Sequence, residues 1–153
     1  MALAQHYPAT RYSPSPLVDL SSKAERERLS PAALRAFFNM MERWGVPDKE
    51  ARALLGGISN GPFYELKKAL LTRAPAHPVR VLETDRLQRI SYLVGIFKAL
   101  NVLYSEKLAD AWLRLANENP IFVGQTPLSY MIQGGLPAMQ VVRRLLDARR
   151  GGR

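Results

Sequence analysis

The chain has 153 residues, enough for one domain or two small ones, and 47% apolar against 23% charged residues is an ordinary globular balance. It has no cysteine, which excludes a disulfide framework and every thiolate metal site. The formal net charge of +9 is compatible with a nucleic-acid partner without establishing one, because much of it is gathered in five arginines among the last eleven residues.

Residues 1–29 are rich in Pro, Ser, Tyr and charge, and show no sustained apolar period. They are expected to form a flexible arm, with a short helical piece over 22–28. The first twenty residues lack the apolar stretch of a signal peptide, and no later apolar run is long enough to span a membrane. A cytoplasmic protein is therefore expected.

Helical signals begin at Ser30, a good N-cap, with Pro31 suited to a first helical position where its missing N–H costs nothing. Leu34, Phe37, Phe38, Met41 and Trp44 follow at three- and four-residue spacing, forming one apolar stripe that Gly45 closes. Val46-Pro47-Asp48 opens a short helix carrying Ala51, Leu54 and Leu55, ended by Gly56-Gly57. Ser59 then caps a third helix, with Phe63, Leu66, Ala69 and Leu70 inward. A long helix, a two-turn helix, a glycine turn with Ile58 as apolar plug, and a third helix make a helix-turn-helix pattern over 30–73. A plain three-helix bundle fits these residues about as well.

If this segment binds DNA, its readers are the outward residues of the third helix: Ser59, Asn60, Tyr64, Lys67 and Lys68, with Lys49 and Arg52 available for phosphate. Asn can make two hydrogen bonds to adenine in the major groove, while Lys meets phosphate as a point charge. Gly61-Pro62 in the first turn and Glu65 on the face count against it. A module of this size works as a homodimer on two half-sites, through the first-helix aromatics or through Tyr7 and Tyr12.

Pro75 and Pro78 mark residues 74–83 as a linker. Thr84 is expected to cap a long amphipathic helix carrying Leu87, Ile90, Leu93, Val94, Phe97, Leu100 and Leu103, which joins the two halves and belongs to both cores. Ser105 caps the next helix, with Leu108, Ala109, Trp112 and Leu113 inward, and residues 117–120 end it. Glu106 and Asp110 lie one turn apart, but Lys107 and Arg114 beside them point to a solvated charged face. The two histidines, His6 and His77, fall in the arm and the linker, and no metalloprotease, phosphate-loop or hydrolase motif occurs. No catalytic residue, no metal site and no enzyme activity are expected.

The C-terminal third is the most particular part. A run of Phe122, Gly124, Thr126, Pro127 and Leu128 opens a helix over 128–133, with Thr126 as cap and Pro127 at its first position. Gly134-Gly135 lets the chain reverse, and Pro137 restarts it. Leu136, Met139, Val142, Leu145 and Leu146 bury one side of the last helix, while Gln140, Arg143, Arg144 and Asp147 line the other, and Arg149-Arg150 finish it. Capping of the helix macrodipole is the plainest account of those final arginines.

This pattern closely resembles the C-terminal toxin-binding domain of the Xre/MbcA/ParS antitoxins, whose partners are RES-domain toxins that consume NAD. The resemblance covers 84–152 strongly and 31–73 more loosely. It implies an all-α protein in which an Xre-like helix-turn-helix domain precedes a helical toxin-binding domain over 84–153. It implies an antitoxin that covers the toxin's active-site entrance and represses its own operon by binding promoter DNA, within a larger toxin–antitoxin complex. The tip bearing Arg149, Arg150 and Gly151 would approach the NAD pocket, supported by Tyr130, Arg143, Arg144 and Asp147. No cofactor is implied for the chain itself, since the cofactor site belongs to the partner. The other class left open is a stand-alone DNA-binding regulator or partition protein that uses its C-terminal domain to oligomerise.

Overall fold

The computed structural model describes residues 18–71 and 80–151, so Tyr7, Tyr12, His6, His77, Pro75 and Pro78 lie outside the described residues. All regular structure among the described residues is helical, as the apolar spacing implies. Six α-helices occur in the order α1 (Lys23–Trp44), α2 (Asp48–Leu54), α3 (Asn60–Leu71), α4 (Thr84–Leu103), α5 (Glu106–Ala111) and α6 (Pro127–Arg150). Short 3₁₀ turns at Trp112–Arg114 and Pro120–Phe122 join the last two.

α1 begins within the segment expected to be an arm. The Ser22 hydroxyl accepts the Glu25 N–H at 3.4 Å, so Ser22 is the N-cap and Pro31 sits inside the helix. An interior proline removes one backbone donor. What holds the helix through it is tertiary: Leu34, Phe37, Met40, Met41 and Trp44 on the same helix are all buried. Ser30 is itself fully buried. Its hydroxyl donates to the Arg26 carbonyl at 2.6 Å and accepts the Leu82 N–H at 2.9 Å. Ser30 therefore tethers α1 to the approach of α4, where a helix start was expected.

The same contact alters the picture of 80–83. Leu82, placed in the linker by its sequence neighbours, is 2% exposed and docks in the core. Thr84 is not the cap of α4. Glu83 holds that position without a side-chain bond, and the Thr84 hydroxyl donates to the Leu20 carbonyl at 2.9 Å.

α4 is the central element and packs on both α1 and α6. One continuous cluster of buried apolar side chains runs from Leu34 to Leu146, so the N-terminal and C-terminal helices share a core. Phe38 of α1 packs edge-on against Phe37 and against Phe63 of α3, each at 5.4 Å, and Trp44 stacks obliquely on Phe97 at 5.9 Å. Phe37 and Trp44 thus belong to the interior, while Phe38 is half-buried.

Two helices differ in phase from expectation. In α3 only Phe63 and Leu66 are buried, Leu70 is half-buried, and Ala69 points outward. In the α5 region Leu108 is 40% exposed, because α5 ends at Ala111 and tightens into a 3₁₀ turn that buries Trp112 and Leu113. The two expected caps further on are present: Ser105 accepts the Leu108 N–H at 3.4 Å, and Thr126 accepts the Ser129 N–H at 3.1 Å. At Gly134-Gly135 the chain kinks rather than reverses, with the non-helical backbone confined to Gly135 (φ 64°, ψ −147°).

Candidate functional site

Two exposed regions carry the residues singled out from the sequence: the outer face of α3 and the C-terminal end of α6. At the first, Gly56 and Gly57 adopt φ of 93° and 83°, and Ile58, 5% exposed, plugs the turn between α2 and α3. Positive φ at consecutive positions is cheap only for glycine. The Ser59 carbonyl accepts the Phe63 N–H at 3.1 Å as α3 starts.

Asn60, Tyr64, Lys67 and Lys68 are all exposed and recur at helical spacing, so they form one stripe along α3, with Lys67 bordering the buried Phe63 one turn away. Tyr64 is 59% exposed. Lys67 is not idle, because its Nζ lies 3.1 Å from Asp48 Oδ1 at the start of α2. A phosphate contact by Lys67 would have to displace that pair. On α2, Lys49 is exposed and Arg52 half-buried.

The C-terminal set divides. Arg143 is engaged within the fold: its Nε donates to Asp147 Oδ2 at 3.2 Å and its Nη1 to the Ser91 carbonyl at 3.5 Å. The guanidinium lies directly over Gly95 of α4, where any Cβ would collide with it. Arg149 Nη1 donates to the Tyr104 hydroxyl at 3.1 Å. Arg144 and Arg150 are exposed. The Gly151 N–H closes the helix on the Asp147 carbonyl at 3.0 Å, with φ of −64°, so no left-handed turn is needed there. Tyr130 is elsewhere: half-buried, it packs perpendicular to Phe122 at 5.3 Å. It precedes the kink at Gly135, whereas Arg143 and Arg149 follow it. The basic end of α6 and Tyr130 are therefore not one cluster.

Sequence spacing missed a charged joint between α1 and α5. Arg43 donates from Nε to Asp110 Oδ2 at 3.2 Å and from Nη2 to Glu106 Oε1 at 3.2 Å, and lies 5.6 Å over the Phe97 ring. Hydrogen bonding to Asp110, then the Asp110 charge, raises the Arg43 pKa above its ordinary value. Arg114 Nη1 donates to the Gly45 carbonyl at 2.7 Å. Glu106 and Asp110 do lie on a solvated face, Glu106 being 79% exposed, and from it they pair with Arg43 of α1. Their one-turn spacing was visible, but the partner lies 63 and 67 residues away.

A depression of about 540 Å³ has Phe38, Phe63, Leu70 and Leu71 together with Asp48 and Lys67 in its wall. Among the described residues no group of three or more His, Asp or Glu could hold a metal ion, and no helix is long and apolar enough to cross a membrane.

Over 133 residues the chain is 35% identical to the uncharacterized protein y4oB of Sinorhizobium fredii, an alignment covering 86% of this chain and 95% of that one. No family model and no solved structure matches it.

Proposed function

The chain belongs to the same family as the Sinorhizobium fredii protein y4oB, and we propose that it acts as an antitoxin that blocks a RES-domain, NAD-consuming toxin with its C-terminal helices. The observation that carries this reading is the build of α6. It is capped by Thr126, kinked at Gly135, anchored by buried Met139, Val142 and Leu146, and ends with exposed Arg144 and Arg150. A basic end fixed to a rigid core suits entry into a pocket made for a dinucleotide's phosphates, because guanidinium binds such groups bidentately without ordering a loose segment first.

Inhibition is by occlusion: NAD and the tip of α6 compete for one volume, and the chain performs no reaction of its own. Arg144, Arg149 and Arg150 are its leading contacts, with Arg149 leaving Tyr104 to make them. Arg143 and Asp147 keep the helix on α4, and Tyr130 supports its first half through Phe122. The outer face of α3, with Asn60, Tyr64, Lys67 and Lys68, serves a second task as the DNA reader of an Xre-like domain. As a homodimer in the cytoplasm it would repress its own operon.

The test is co-expression with a RES-domain protein encoded beside it, followed by NAD consumption with and without this chain. Consumption is expected to stop with the full chain and to resume when residues 148–153 are deleted, with helicity unchanged. A truncated protein that still neutralises would remove the tip as the blocking element. The exposed face of α3 favours one other reading, a stand-alone DNA-binding regulator or partition protein. In that case promoter DNA binds while NAD consumption by the neighbour is untouched.

A further inference from the structure

Arg89 lies between two glycine breaks, the α2–α3 turn and the α6 kink. Its Nε donates to Asp85 Oδ2 at 2.8 Å one turn earlier in α4, and its side chain is only 16% exposed. On one side is Gly56 (φ +93°) in the α2–α3 turn, where a Cβ would stand 3.2 Å from Arg89 Nε and 3.3 Å from the Asp85 carboxylate. On the other is Gly135 (φ +64°) at the kink of α6, where a Cβ would rest 3.7 Å from Arg89 Nη2. Arg86, nearly one turn before Arg89, donates from Nε to the Leu55 carbonyl at 3.4 Å, and α2 packs directly on α6.

Both φ values lie in the left-handed region, which glycine adopts without cost and a residue with a Cβ does not. The α2–α3 turn aims α3, and the Gly135 kink aims the terminal half of α6. A planar guanidinium held at Nε by a carboxylate is a stiff spacer, so neither glycine can move toward it without displacing it toward the other. We propose that the Arg89–Asp85 pair couples the α2–α3 turn to the α6 kink. A change in the direction of the terminal half of α6 then changes the setting of α3, and the reverse holds by linkage. The coupling is a property of the fold, and only its use, tying partner binding at α6 to DNA affinity at α3, rests on the antitoxin reading.

The test needs no partner: backbone amide resonances of the full chain in a double-mutant cycle. Gly135→Ala puts a Cβ on a backbone of φ 64° and ψ −147° that favours glycine, so it disturbs the kink and is expected to shift the amides of Gly56, Gly57 and Ile58 as well as its own neighbours. In an Arg89→Ala background the same substitution should still shift the kink, while its effect at the turn falls by about five-fold or more. Arg89→Lys, which keeps charge without the planar fork, should behave like Arg89→Ala. Turn amides that stay still in the parent background, or move equally without Arg89, overturn the proposal. Should Gly135→Ala not fold, amide exchange of Arg89→Ala alone decides: faster exchange at both breaks is expected, and faster exchange at one break alone refutes coupling. Loss of toxin neutralisation or DNA binding is a separate outcome that touches only the functional reading.

Discussion

α3 and α6 each offer an exposed basic region, but they are held very differently. α6 buries seven of its 24 residues, chiefly against α4, whereas α3 buries two of its twelve. α3 hangs from α1 through Phe63 and Leu66 and leaves most of its circumference to solvent. α6 is clamped along its length and frees only its end. A lightly held helix can present a whole face, as a groove-reading element must, while a clamped one can present a tip without losing its direction. The two regions thus differ in how much of each helix is buried.

Cutting into each core tests that contrast most strongly. Met139→Ala, at a fully buried site in α6, is expected to cost about 2–5 kcal/mol in urea unfolding. Leu66→Ala in α3 should cost at least about 1 kcal/mol less, because a helix with few contacts can settle into the space. Equal losses would show that α3 is anchored as firmly as α6. Ser30→Ala comes next: it leaves the Leu82 N–H buried without its acceptor, for a loss of about 1–3 kcal/mol. If its unfolding midpoint does not move, the tether between α1 and α4 is dispensable.

Smaller effects sharpen the surface side of the comparison. Val123 is 84% exposed and takes φ of 51°, a left-handed conformation costly for a β-branched residue. Val123→Gly is expected to stabilise by up to about 1 kcal/mol, the relief of strain being partly offset by glycine's larger unfolded-state freedom. A lower melting temperature would count against strain there. Lys67→Ala with Lys68→Ala should barely change stability, since the Lys67–Asp48 pair is solvent-exposed and such pairs contribute under about 1 kcal/mol. The same double variant should weaken promoter binding evenly across sequences and flatten its salt dependence. Unchanged binding would take this face of α3 out of the DNA reading.

Much of the helical layout was legible because its signals are local. Ser105 and Thr126 cap where short polar residues precede apolar periods, and Gly45, with φ of 64°, closes α1 where the stripe ends. Phase went astray where a helix was short or loosely buried, as with Ala69 and Leu108. Ser30-Pro31 misled for a specific reason. The pair is a good helix start in isolation, but the apolar residues beyond it gain enough from burial to carry the helix through the proline. The candidate sites were legible as residue types in exposed positions, not as clusters. Nothing in the spacing told that Arg143 would seal over Gly95 while Arg144 faced solvent.

From residue order alone came the all-helical character, most of the apolar stripes, the glycine breaks and the basic end. These depend on backbone preferences and on a period of a few residues. Tertiary structure decided which polar groups were consumed in holding the molecule together. Ser30 meets Leu82 across 52 residues, Arg43 meets Asp110 across 67, and Arg143 meets Ser91 across 52. Such pairings leave no periodic trace, because helix packing brings them together only after each helix has formed. Arg144 and Arg150, toward the end of α6, stay exposed beside these pairings.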